Sequence, residues 1–393
     1  MIIYTGIYII ALLGLFFGAN RSKVTKRRYL FCVFGLLILF AALRSSNVGI
    51  DLRVYYSSYY PKFATAKWSE LRNVTASGHW EWGYCALCKI LAMMNPEPQF
   101  LIGVTSIISI LPYAYFIYRN SDDVVFPTVF YIGMHVYTMS MNILRQAVAT
   151  GFAILAFEKL KRKQYVRFII YAVIATSIHT AAVLIFALLI LERINFKRRA
   201  AILLAGATVI VSFSYQYIIT AFMNLPIFGE EYSIYELGVG HAAGYITYHT
   251  LGLFTISALI LVASIFGYVD NKKDVEIDRW NRFHFSDGKL YLQKNSVEEI
   301  EWSNNTLIYS SYLVVLFRFC AFLVNALARA AYYFMPLMMI TYPKMRPNIN
   351  TRLSQKSWDL IIYTAITVFF IYICVFRAQD LWGVVPYEFF WNA

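Results

Sequence analysis

Runs of about 18 to 22 predominantly apolar residues recur along the chain, each long enough for a helix to cross a ~30 Å hydrocarbon layer. In lipid a backbone must satisfy its own hydrogen bonds, so such runs form packed helices. The balance of 59% hydrophobic against 15% charged residues excludes a water-soluble domain. The expected fold is an all-α polytopic membrane protein, residues 1–393 making one integral membrane domain. About 12 transmembrane helices are expected, near 2–19, 29–43, 99–118, 124–141, 143–158, 168–179, 181–192, 200–218, 245–268, 307–326, 328–343 and 359–376. The first run follows Met1 with no basic residues before it, which reads as a retained span and not a cleaved signal peptide.

The distribution of positive charge orients the bundle. Connections 20–28, 119–123, 159–167, 193–199, 269–306 and 344–358 hold 25 of the 35 lysines and arginines. By the positive-inside rule they are cytoplasmic, which puts both termini outside. The same rule makes the segment from Trp80 to Asn95 an amphipathic or re-entrant helix at the outer surface, because a span there would invert every later loop. Outer loops are expected at 44–98 and 219–244, and a cytoplasmic loop at 269–306. In that inner loop Asp287-Gly288 stands between alternating residues and predicts a small hairpin. The net charge of +13 records topology, so nucleic acid is not an expected partner. Cys85 and Cys88 stand three apart among apolar residues, which reads as thiols in a helix and not as a metal site.

Outside the cytoplasmic loops, seven arginines remain against three lysines: Arg44, Arg53, Arg72, Arg145, Arg318, Arg329 and Arg377. Snorkelling accounts for a single interfacial cation, but not for an excess of the residue whose planar fork suits phosphate. Arg318 stands mid-span, where a charge is costly unless it faces a partner or water. Five of the six histidines, His79, His135, His179, His241 and His249, fall on the same outer side. Any of them could be a structural hydrogen-bonder or a general base. Asn142, Arg145 and Gln146 lie within one turn at the mouth of a span, so their polar ends can share a face. Asp51 either does chemistry or pairs with Arg44 or Arg53 to hold its loop. No metal-ligand spacing stands out.

The order of these residues resembles one family. Arg44, Asp51 and Tyr55 form R-x(6)-D-x(3)-Y, followed by WEWGY (80–84), NILRQ-x(2)-A (142–149), His-Thr-Ala (179–181), R-x-x-YYF-x-P (329–336) and PYEFF (386–390). The set resembles the EpsG family of bacterial exopolysaccharide and capsule proteins, grouped with Wzy-type polymerases that also make O-antigen. One departure is Gly49-Ile50-Asp51-Leu52, where the family usually reads Gly-Thr-Asp-Thr. The resemblance implies a GT-C-like membrane glycosyltransferase in the bacterial cytoplasmic membrane. Such an enzyme joins oligosaccharide repeat units carried on undecaprenyl diphosphate at the outer face, with flippase and chain-length regulator proteins as further partners.

On that reading Arg145 and Arg329 contact the diphosphate, supported by Arg44, Arg53 and Arg318, with Asn142, Gln146 and His241 also lining the substrate site. His179 is favoured over Asp51 as the base, with His241 a third candidate. The lipid diphosphate is its own leaving group and no phosphate-binding glycine loop is present, so no cofactor is expected. A lipid-linked glycan ligase would show the same residues. A lipid-linked oligosaccharide flippase would spread its charges through the membrane's depth.

Overall fold

The computed structural model describes residues 2–53, 57–75, 80–196, 247–269, 283–286, 289–292, 301–322 and 327–392. Ile2–Leu13 forms α1 and Lys23–Leu43 forms α2, which starts at a reciprocal Ser22–Thr25 capping box. Trp82–Met94 (α3) and Pro98–Asn120 (α4) follow, the latter opened by a proline at its first position. Val125–Gly133 (α5), Val136–Asn142 (α6) and Leu144–Lys161 (α7) run almost end to end, and Tyr165–Ile178 (α8) folds back on α7. Thr180–Leu191 (α9) begins as a 3-10 helix. Then come Tyr248–Phe266 (α10), Asn304–Cys320 (α11), Leu327–Ala331 (α12), Met335–Met345 (α13) and Gln355–Phe376 (α14).

The expected hairpin is present. Strands Phe283–Ser286 (β1) and Lys289–Leu292 (β2) pair antiparallel on either side of Asp287-Gly288.

Among the described residues three helices, α4, α10 and α14, are long and apolar enough to cross a membrane. Most of the other expected spans are shorter or interrupted, whereas the 21 residues of α2 run unbroken through 29–43 but carry basic residues in their first turns. The single span expected over 124–141 breaks between α5 and α6, where His135 takes a left-handed conformation (φ 57°). At about 1.5 Å per residue, the 14 residues of α8 reach only about 21 Å. The expected span 200–218 lies outside the described residues.

Polar groups gather at two opposite ends of the helices. Arg44 follows the last turn of α2, Gln99 opens α4 and donates to the carbonyls of Ala42 and Arg44, and Arg145 opens α7. At the other ends of α2, α4, α7 and α13 stand Lys23, Arg119, Lys161 and Lys344.

The C-terminal tail closes over the first of these ends. Ser45 N donates to the Glu388 carbonyl at 2.8 Å, while Gly49 and Ile50 donate to Gly383 and Trp382, both at 3.0 Å. Tyr387 Oη donates to the Phe40 carbonyl and Tyr4 Oη to the Val384 carbonyl. The tail from Trp382 through the PYEFF motif is therefore a strap that fixes the loop carrying Asp51. Gly49 makes that path possible: its φ is 103°, and a Cβ there would stand 3.0 Å from the Met141 carbonyl oxygen.

Candidate active site

The centre of the arginine-bearing end is a carboxylate, Glu81, the residue before the first turn of α3. Its Oε2 accepts from Arg145 Nη1 at 2.7 Å, and its Oε1 meets His179 Nδ1 at 2.8 Å. The same Oε1 accepts the Thr180 backbone N–H at 3.1 Å, so Glu81 also caps the start of α9. Three elements thus converge on one side chain. Gly83 lets them do so, because a Cβ at that position would overlap Ser177 where α3 crosses the end of α8. Glu81, His179 and Arg145 are 16%, 21% and 30% exposed at the side chain, sheltered yet open to a ligand. The Arg145 guanidinium also lies 5.8 Å from the centre of the Trp80 ring.

Burial alone would raise the pKa of Glu81. The His179 hydrogen bond and the Arg145 charge outweigh it and hold the carboxyl down to about 2. An ionised carboxylate can only accept, so Nδ1 of His179 must carry the hydrogen. That assignment leaves Nε2 as the nitrogen not engaged by Glu81, on a ring held in place by its carboxylate partner. A base oriented by an acid through its second nitrogen is the arrangement that proton-transfer chemistry needs.

Asp51 faces the same mouth. Its backbone N–H donates to Asn142 Oδ1 at 3.1 Å. Burial pushes the Asp51 carboxyl above its usual range, against the opposing pull of Arg329 and then Arg145. Arg329 is exposed on the short helix α12, whose main-chain oxygen accepts from Gln146 Nε2. The structure therefore brings together Asp51, Asn142, Arg145, Gln146, His179 and Arg329.

Arg318 stands behind this group. Its guanidinium lies 4.7 Å from the centre of the Tyr332 ring, and its Nη2 is 3.8 Å from Met335 Sδ. A small cavity of about 40 Å³ joins it to Asn142, His249, Arg329 and Trp382. The buried rings of His249 and His135 are 5.3 Å apart, and Nε2 of each lacks a hydrogen-bond partner among the described residues.

Three sequence-based expectations fare differently. Arg44 was expected to support the diphosphate site, but it is fully buried and donates to the carbonyls of Ala41 and Met141 and to Ser106 Oγ. Its donors seal helix ends, and it has no surface on which to meet a substrate. Arg53 is exposed at the end of the loop that carries Asp51. His241 lies outside the described residues. Sequence reasoning missed Glu81, although WEWGY was in view. An acid between two tryptophans, on a side otherwise rich in arginine, was the signal.

Among the described residues no three His, Cys, Asp or Glu side chains converge as metal ligands. The EpsG family model matches residues 27–389, nearly the whole chain. The chain belongs to the EpsG family. No curated protein matches it, and neither does any solved structure. As an EpsG protein it is a membrane protein of polysaccharide biosynthesis. The residues that converge on Glu81 come from motifs 80–84, 142–149 and 179–181, so family motifs far apart in the chain meet at one place.

Proposed function

We propose that this EpsG protein is a polysaccharide polymerase, joining undecaprenyl-diphosphate-linked repeat units at the outer face of the bacterial cytoplasmic membrane. The observation that carries this reading is Glu81, which ties a histidine and an arginine into one sheltered mouth beside Asp51 and Arg329.

The chemistry follows from those groups. A hydroxyl of the acceptor unit attacks the anomeric carbon of the donor glycan, and Nε2 of His179 takes its proton. Glu81 stabilises the imidazolium that forms, as an ionised carboxylate does for a histidine base. The bond between the anomeric carbon and the diphosphate oxygen breaks, and negative charge grows on the departing lipid diphosphate. Arg145 and Arg329 offer planar donors to that charge, which is where stabilisation accelerates the step. Asp51 faces both arginines across the same mouth. His179 is favoured over Asp51 as the base because it alone has a carboxylate orienting its other nitrogen. The outer location and outer termini rest on the lysine-rich loops at the opposite ends of the helices.

The test is glycan-length analysis in cells expressing Glu81→Gln, His179→Ala, Arg145→Ala and Arg329→Ala at wild-type protein levels. Single lipid-linked repeat units in place of long chains are expected from each variant. Polymer of normal length from all four overturns the site. Repeat units trapped on the cytoplasmic side point to transport instead.

A further inference from the structure

A cavity of about 510 Å³ lies at the other end of the bundle from Glu81. That is within the range of ligand sites in general. It opens between the lysine-bearing ends of α2, α4, α7 and α13. Lys23, Lys26, Arg119, Lys161 and Lys344 line it against only two carboxylates, Asp122 and Glu301. Both acids are already engaged: Lys26 Nζ is 3.0 Å from Asp122, and Lys344 Nζ is 3.0 Å from Glu301. Lys161 Nζ donates to a neutral acceptor, Asn120 Oδ1, at 2.8 Å.

Two further features mark a built wall. Trp302 and Asn304 line the cavity at 6% and 5% exposure, and each keeps a polar atom, Nε1 and Oδ1, with no hydrogen-bond partner among the described residues. Buried polar atoms are rarely left without a partner. Burial lowers the pKa of Lys161. Glu158 opposes that shift, while the charges of Lys344 and Arg119 add to it. Positive charge is crowded here beyond what the local acids neutralise. The positive-inside bias sets how many cations stand at this end of the helices. It gives no reason for five of them to line one cavity with an indole N–H.

We propose that this cavity binds a phosphate-bearing anion, supplied by a soluble phosphoester or by the headgroup of an anionic lipid. An ammonium cluster recognises phosphate as point charge, and the indole N–H adds a directional donor. The site is separate from the polymerase chemistry. Arg145 and Lys161 are sixteen residues apart on α7, so at about 1.5 Å per residue the two ends stand about 24 Å apart.

The experiment uses purified full-length protein in nanodiscs and reads the thermal unfolding midpoint, which rises when a ligand binds the folded state. One arm adds inorganic diphosphate to zwitterionic discs. The other replaces zwitterionic lipid with phosphatidylglycerol. Two variants report on the cavity: Lys161→Gln removes a cation, and Tyr118→Glu places a negative charge on a partly exposed wall residue without opening the core. The double variant Arg145→Ala/Arg329→Ala controls for phosphate held at the other end. The expected result is a saturable rise in at least one arm. Each cavity variant weakens it about tenfold, the effect of losing one charge-assisted contact, while the arginine double variant retains it. A response to diphosphate identifies a soluble ligand, and a response to phosphatidylglycerol alone identifies a lipid headgroup. No rise in either arm overturns the proposal, as does a rise abolished by the arginine pair and kept by the cavity variants.

Discussion

Arg44 and Arg145 look alike in the sequence: each is an arginine at the end of a helical run, inside a family motif. The structure gives them opposite surroundings. Arg44 is sealed below the loop, its guanidinium donating to two backbone carbonyls and a serine hydroxyl. Arg145 stands at the mouth, with one nitrogen on Glu81 and an aromatic ring alongside. The first arrangement uses arginine as a multivalent cap for orphaned carbonyls. The second sets the guanidinium in a mouth that also holds a histidine and an aspartate. Arginine at a membrane's edge thus splits into a structural and a chemical kind, and only the partners tell them apart.

The largest expected effect tests the structural kind. Arg44→Ala strands buried carbonyl groups and opens a cavity, at a cost of about 3 to 5 kcal/mol. Protein yield and the thermal midpoint should both fall, in contrast to Arg145→Ala, which should keep the fold and lose polymer. If Arg44→Ala folds normally and makes only single repeat units, the distinction between the two arginines collapses.

Next comes the chemical kind. His179→Ala should lower polymerisation by about 10²- to 10⁴-fold, the usual contribution of a positioned base. Glu81→Gln should lower it too, because an amide can present its own N–H to Nδ1 and favour the other tautomer. The measurement is the rate of chain extension by reconstituted protein on lipid-linked repeat units. A Glu81→Gln variant with full rate would reduce Glu81 to a cap for α9.

Acid titration reads the same carboxylate without chemistry. Glu81 has its pKa held down in the folded state, so it contributes stability that is complete above 4.5 and is lost as pH falls towards about 2. At about 1.4 kcal/mol per pH unit, the contribution is on the order of 3 kcal/mol. The thermal midpoint of the wild type should fall across that window, and that of Glu81→Gln should fall less. Equal slopes would mean that the ion pairs of Glu81 add nothing to the fold.

Much of this was legible beforehand, for identifiable reasons. Apolar runs and lysine-rich turns are local signals, so helices and their two chemical ends followed from composition along the chain. Asn142 and Gln146 were expected on one helical face, yet the helix breaks at Ile143 between them, and they reach Asp51 and Arg329 from two successive helices. The role of Arg44 was not legible, since its partners are backbone carbonyls at Ala41 and Met141 and no pattern of side chains encodes them. Nor was the break at His135, because an apolar stretch that reads as one span can be divided by a single left-handed residue. Glu81 was missed for a related reason. Its three partners lie 64, 98 and 99 residues away, and only the crossing of α3 over α8 brings them to it.

The smallest expected effect bears on Asp51, which stands between the two kinds. Burial raises its pKa, so the folded state holds the proton more tightly than the unfolded chain does. Its ionisation therefore detracts from stability as pH rises from 3.8 through the folded value, and the cost is complete at neutral pH. Asp51→Asn removes that cost while keeping the backbone N–H that donates to Asn142. The thermal midpoint at neutral pH should stay level or rise slightly, and chain extension should fall. A residue kept at a cost to stability and needed for turnover belongs to the site. If the midpoint drops instead, the attraction of Arg329 and Arg145 dominates, and Asp51 is a strut that holds the arginines, as Arg44 holds its carbonyls.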